Sequence, residues 1–150
     1  MAVSYANRKV DLLIVQPAPG TGRVTFGLTG VNQVTAGIQK AAQWVFQCLL
    51  TTRGSIPYDL AYGTDLMAIL RIGSNVSSAS IGTAFGLAVE QLLTYQLANF
   101  PVDRPDDEVV AALTLVSQTL ANGYATLVIK MTTRAGTSIE FLAPIPVVPN

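Results

Sequence analysis

Hydrophobic residues recur at helical spacing in two long segments of this chain. Steps of three and four positions in residues 32–50 and again in residues 77–99 predict two amphipathic helices. The apolar stripe of the first is Val34, Ile38, Ala41, Val45, Cys48 and Leu49, and the inward stripe of the second is Ile81, Phe85, Ala88, Val89, Leu92 and Tyr95 with Gln96. A shorter helical turn is predicted at Asp65–Ile72.

Residues that alternate between apolar and polar lie at the two ends of the chain. The C-terminal third predicts three strands around the turn signal Asn122-Gly123, at Glu108–Leu120, Tyr124–Thr132 and Thr137–Leu142. In the second of these strands Ala125, Leu127, Ile129 and Met131 share one face. Near the N-terminus, Val10–Gln16 and Arg23–Leu28 flank a Pro/Gly-rich segment, which predicts a β-hairpin.

This order of elements predicts an α+β fold within one domain of 150 residues. We expect two main helices packed on an antiparallel sheet made by a C-terminal meander, with an added N-terminal β-hairpin. The hairpin covers residues 8–28, the core covers residues 32–142, and an extended tail covers residues 143–150. The tail boundary is predicted from its prolines, because proline is excluded from central strands.

Composition narrows the classes of function. The chain is 50% hydrophobic and only 12% charged, with a formal net charge of zero, so we expect other subunits to cover part of its surface. No basic run is present, which argues against a nucleic-acid partner. No apolar run is long enough for a membrane span and no signal peptide pattern occurs, which predicts a protein of the reducing cytosol or of a particle assembled there.

Candidate chemistry is sparse. The chain has no histidine and one cysteine, Cys48, which is predicted to be a core residue; we predict no cofactor, no metal and no catalysis. Two alternatives remain open: a glycoside hydrolase with Glu90 as its acid, and a small-molecule pocket lined by Trp44, Tyr58 and Tyr62. The acidic residues Asp103, Asp106, Asp107 and Glu108 are predicted to form a solvated loop in preference to a cation site.

The segment between the helices carries a family resemblance. The matching residues are Leu49-Leu50-Thr51-Thr52-Arg53-Gly54, Pro57 and Tyr62-Gly63-Thr64-Asp65-Leu66. With the order of elements around it, this pattern resembles the baseplate wedge and sheath-initiator family of contractile-tailed bacteriophages, also called the lysozyme-like or protein W family. The resemblance covers roughly residues 32–147. The chain departs from the pattern at Ser55-Ile56, where charged residues are usual, and at Asp103-Arg104-Pro105, which replaces a Glu-Pro-Arg triplet.

The resemblance implies a structural protein of the virion. Its partners would be the tail sheath protein, other baseplate wedge proteins and tail tube or tube-initiator proteins, with several copies in a ring and a sheet edge that starts sheath assembly. Gly54 and Gly63 would shape the connector, and Arg53 and Asp59 would be exposed polar contacts. Asp103 and Arg104 would match the family triplet, and Arg104 would anchor the loop before the sheet through a carboxylate. Ile139 and Phe141 would contribute to the face of the sheet that contacts the neighbouring protein.

Overall fold

The computed structural model describes residues 11–12, 15–18, 23–26, 34–72 and 76–147. Within them the chain has an α+β fold, as predicted. The helices are α1 (Ile38–Leu50), α2 (Leu66–Ile72) and α3 (Ser78–Asn99), with a short 3-10 helix at Asp106–Glu108. The strands are β1 (Asp11–Leu12), β2 (Val15–Ala18), β3 (Arg23–Phe26), β4 (Val34–Thr35), β5 (Val110–Ala121), β6 (Tyr124–Thr133) and β7 (Ser138–Pro146).

The main sheet has the strand order β2-β3-β7-β6-β5. The C-terminal meander β5-β6-β7 is antiparallel, as predicted. The N-terminal hairpin β2-β3 does not stand apart from it, because β3 pairs with β7 in a parallel sense at Val24 and Phe141. Arg23 Nε lies 3.1 Å from Glu140 Oε2 on β7. The sheet is therefore mixed, and the hairpin extends the sheet of its own chain.

The core lies between the helices and one face of the sheet. The buried face of β6 is the predicted one, since Ala125, Leu127, Ile129 and Met131 are all fully buried. They pack in one cluster with apolar residues of all three helices and of β7. One strongly polar residue joins the buried set on α1: Gln43, which its sequence position placed on the polar face, is 2% exposed.

The first helix begins later than predicted. Residues Val34–Thr35, expected to be helical, instead form β4 and pair with β1, and α1 begins at Ile38. Gly37 precedes the helix with a φ of 67°, a conformation that ends the extended segment and that glycine adopts without strain. Residues 32 and 33, the first two of the predicted helix, lie outside the described residues. The second helix begins at its predicted place, with Ser77 and Ser80 capping each other reciprocally.

The C-terminal boundary also differs from the prediction. Residues 143–146, expected to be an extended tail, continue β7 and pair with β6. Ala143 and Ile145 are fully buried, so they belong to the core. The two prolines are tolerated because Pro144 and Pro146 lie beyond Phe141, the β7 residue that pairs with the described part of β3. Residues 148–150 lie outside the described part of the chain.

Among the described residues, no helix is both long enough and apolar enough to span a bilayer. This holds even for α3, whose 22 residues include a single charged side chain, Glu90.

Candidate interaction surface

The segment between α1 and α2, residues 51–65, folds into a closed loop that we call the connector loop. Its two ends meet, because Thr64 N donates to Thr51 O at 2.9 Å and Arg53 N donates to Thr64 O at 3.1 Å. Internal turns complete it, with Tyr62 N donating to Asp59 O at 3.2 Å. Compact loops with paired ends present a fixed set of side chains to a partner.

Gly63 is the residue that closes the connector loop. It is buried with a φ of 95°, and a Cβ at this position would lie 2.4 Å from Thr51 O. Gly54 also has a positive φ, of 80°, but a Cβ there would meet nothing within 4 Å. Both predicted glycines therefore shape the loop, although only Gly63 is required by close packing.

The tip of the connector loop is exposed and partly apolar. Tyr58 is 92% exposed and Leu60 is 64% exposed. Arg53 is also exposed, as predicted, but it lies at the paired ends of the loop, where its N–H donates to Thr64 O. Asp59 differs from its prediction as an exposed contact, because it is half-buried and accepts a hydrogen bond of 2.6 Å from Tyr95 Oη on α3. Asp59 thus holds the loop against α3.

An aromatic cluster lies beneath the connector loop. Tyr62 meets Tyr95 edge-on at 5.4 Å between ring centroids, and Trp44 lies 6.5 Å from Tyr95 and 4.7 Å from Phe100. Burial, with the hydrogen bond to Asp59, raises the pKa of Tyr95 to about 12, so Tyr95 remains a hydrogen-bond donor at neutral pH. Tyr58 is outside this cluster, because its side chain is almost fully exposed. The prediction that Trp44, Tyr58 and Tyr62 line one pocket is therefore wrong.

Cys48 lies beside this cluster, and its thiol is unreactive. It is 2% exposed, and burial raises the pKa of its thiol to about 11, although hydrogen bonds with Tyr62 and the Gly63 backbone oppose the shift. Only the thiolate is a nucleophile. The thiol therefore has neither the access nor the ionisation that a reactive cysteine requires.

We expect iodoacetamide to leave Cys48 unmodified in the folded protein at neutral pH and to modify it readily in urea. Intact-mass spectrometry after timed quenching measures the adduct. Urea abolishes burial and returns the thiol to its ordinary pKa, so the two conditions separate the effect of the fold from the chemistry of cysteine. Rapid modification of the native protein would contradict this account.

A buried ionic cluster fixes the loop that leads into the sheet. Glu108, only 3% exposed, accepts hydrogen bonds from Gly37 N at 3.2 Å and from Lys40 Nζ at 3.2 Å. Arg104 Nε lies 3.7 Å from Glu108 Oε2, with the guanidinium 3.8 Å above the Phe100 ring. Burial lowers the pKa of Arg104, and the Glu108 charge opposes this. The predicted carboxylate partner of Arg104 is therefore Glu108, which joins the start of α1 to this loop.

The acidic segment was predicted to be a solvated loop, and this is wrong for one of its residues. Glu108 lies in the core, whereas Asp106 forms an exposed ion pair with Arg134 at 2.6 Å. Asp103 is exposed in the same loop. In the described ranges, no group of three or more histidine, cysteine or acidic residues is placed to hold a metal ion.

The outer edge of β5 is a second surface, which we call the free edge. β5 is the terminal strand of the sheet, and its 12 residues include no charge, no proline and no glycine. Val116 and Leu120 are 45% and 44% exposed. Such a strand presents unpaired backbone groups to any extended chain. Register shifts near Val110 and Leu115 bend it locally.

Helix α3 closes one end of the free edge. The Gln96 side chain accepts from Val110 N at 2.8 Å and donates to Val110 O at 2.9 Å. This amide therefore replaces a neighbouring strand at the first residue of β5. At the other end, Ala121 pairs with Tyr124 across the Asn122-Gly123 turn, so the alternation of the ladder directs the Leu120 N–H away from β6. Among the described residues, no other strand pairs with the outer edge of β5 beyond Val110, although the Gln118 side chain donates to Ser78 O of α3 at 2.7 Å.

The predicted sheet residues lie mostly inside. Phe141 is fully buried, and Ile139 is half-buried against the core. Phe141 can support a binding surface but cannot itself touch a partner. The sequence did not indicate Glu108 or Gln96 as functional features, nor which edge of the sheet is free, because each depends on contacts between distant segments.

A groove lies between the connector loop and α3. Its volume is about 360 Å³, and it is lined by Arg53, Ala61, Leu87, Glu90, Gln91, Thr94, Tyr95, Ala98 and Asn99. Glu90 is the one carboxylate in this lining. Asp65, just behind it, is bound by Gln91 through both its backbone N–H and its carboxylate. Comparison with known proteins adds no assignment: no family model, no curated protein and no solved structure matches the chain.

Proposed function

We propose that this chain is a structural component of a contractile phage tail baseplate. It joins wedge proteins around the tail tube and offers a sheet edge on which the first tail sheath subunits assemble. The observation that carries the proposal is the free edge of β5, a 12-residue terminal strand without a charged residue. The resemblance of the connector loop and of the order of elements to the baseplate family supplies the biological setting.

The physical mechanism of attachment is strand addition. An extended arm of a partner pairs its backbone groups with the outward N–H and C=O groups of β5, while its alternate side chains contact the exposed residues of that strand. Gln96 occupies the edge at Val110, so the incoming arm lies along the remainder of β5 toward the Asn122-Gly123 turn. Association also removes an exposed apolar edge from solvent, which opposes nonspecific aggregation.

A structural role is favoured over hydrolysis by the environment of Glu90. A glycosidase of the usual kind needs two carboxylates across the scissile bond. The groove lining includes Glu90 alone, and the nearby Asp59 and Asp65 are engaged by Tyr95 and Gln91. None of the residues that line the groove belongs to β5.

The proposal is tested by Leu120→Pro. Proline removes the outward N–H of residue 120 without removing a β6 ladder bond, so the fold is retained while strand addition is blocked. We expect the variant to fold and to abolish the attachment of tail sheath in complemented particles, scored by negative-stain electron microscopy. Thermal unfolding of the purified variant reports on the fold.

The matched control is Leu120→Ala, which removes the same side chain but keeps the N–H. We expect this control to assemble sheathed tails. If Leu120→Pro gives normal contractile tails, the free edge is not the attachment site. If both variants fail equally while remaining folded, the side chain and not the backbone is recognised, and strand addition at this position is wrong.

A further inference from the structure

The groove between α3 and the connector loop presents one cation and one anion that have no ion-pair partner among the described residues. Arg53 and Glu90 are both exposed and both line it. Within the described ranges neither forms an ion pair, in contrast to the pairs Arg23–Glu140, Lys40–Glu108 and Arg134–Asp106. Each therefore keeps its charge available to a neighbouring molecule.

The surface around these two charges is otherwise uncharged and partly apolar. Glu90 is the single charged residue among the 22 residues of α3. On the same helix Leu87 is 41% exposed and Leu97 is 89% exposed. A soluble helix normally carries charged residues on its outer face, and an apolar outer face indicates that another surface covers it.

We propose that a second copy of this chain covers this surface, related to the first by a two-fold axis. A two-fold interface needs a patch that is complementary to itself, because each contact occurs twice with the roles of the two subunits exchanged. A patch with one cation and one anion meets this condition. Glu90 of each copy faces Arg53 of the other, so that two ion pairs form and the exposed leucines of α3 are removed from water.

Two glycines on α3 make a close approach of the second copy possible. Gly82 and Gly86 are exposed and one turn apart, and a Cβ at either position would meet nothing within 4 Å in the described structure. Glycine lowers helix stability relative to alanine. Replacing both by alanine leaves the folded monomer unstrained, because the added Cβ atoms meet nothing. The same atoms lie where the α3 helices of the two copies meet.

The experiment is sedimentation velocity of the purified chain over a concentration series, with Glu90→Lys, Arg53→Glu and the double variant. We expect the unchanged chain to form a dimer. Each single reversal places like charges together twice and weakens association by roughly tenfold or more. The double reversal restores both pairs with exchanged polarity, so it returns the dissociation constant toward that of the unchanged chain.

The variant G82A/G86A separates association from folding. We expect it to unfold at a higher temperature than the unchanged chain at concentrations where both are monomeric, and to dimerise more weakly. The proposal is overturned by a chain that stays monomeric at all concentrations, by a dimer that neither single reversal weakens, or by a double reversal that remains monomeric. None of these results bears on strand addition at β5, which uses other residues and is measured in assembled tails.

Discussion

Replacing Gly63 by alanine is expected to destabilise the protein by about 3–5 kcal/mol. Two penalties act together. The residue has a φ of 95°, which an L side chain adopts only with strain, and the added Cβ would lie 2.4 Å from Thr51 O. Relief of that clash requires separation of the loop ends, which breaks the Thr64 N to Thr51 O hydrogen bond. Urea denaturation followed by circular dichroism measures the loss.

Gly54→Ala is the matched control for this prediction. It also has a positive φ, but its Cβ would lie in open space, so only the backbone penalty of about 1–2 kcal/mol applies. The difference between the two variants isolates the close contact with Thr51. If both variants lose the same free energy of unfolding, the close contact between residue 63 and Thr51 does not contribute to the loss.

Glu108→Ala is expected to cost about 3–5 kcal/mol, the second large effect. The substitution leaves the largely buried Lys40 without the acceptor that lies 3.2 Å from its Nζ. It also deprives Gly37 N, at the start of α1, of its carboxylate partner. The cost arises because the Lys40 charge and the Gly37 N–H lie in the protein interior, which solvates them more poorly than water does. Chemical denaturation again measures the change in the free energy of unfolding.

The control is Asp106→Ala, which removes the neighbouring ion pair with Arg134. Both side chains of that pair are more than half exposed, so water and salt replace the interaction and the expected cost is below about 1 kcal/mol. A small effect of Glu108→Ala, comparable to that of Asp106→Ala, would mean that the buried cluster does not join α1 to the sheet.

Local signals in the sequence predicted the meander well. The Asn122-Gly123 pair has φ values of 52° and 77°, which a two-residue hairpin turn requires and which these residue types favour. Alternation along β6 then placed its four apolar residues on the core face. The core stripe of α3 was also predictable, because Ile81, Phe85, Ala88 and Leu92 are all buried at helical spacing.

The errors arose where distant segments meet. The start of α1 depends on the Glu108 carboxylate, 71 positions away along the chain, which no local pattern indicates. The prolines of residues 143–146 suggested a tail, but these residues continue β7, where the described part of β3 pairs at Phe141 and not at the prolines. Gln96 at the end of β5 and Arg53 beside Glu90 likewise come together only through the packing of α3.

The most direct test of the proposed role is a cryo-electron microscopy map of the assembled tail that contains this chain. We predict that the chain lies in the baseplate and that a strand from a neighbouring protein pairs with the outer edge of β5 between Val110 and the Asn122-Gly123 turn. A map in which this edge faces solvent, or in which the chain lies outside the baseplate, would contradict the account.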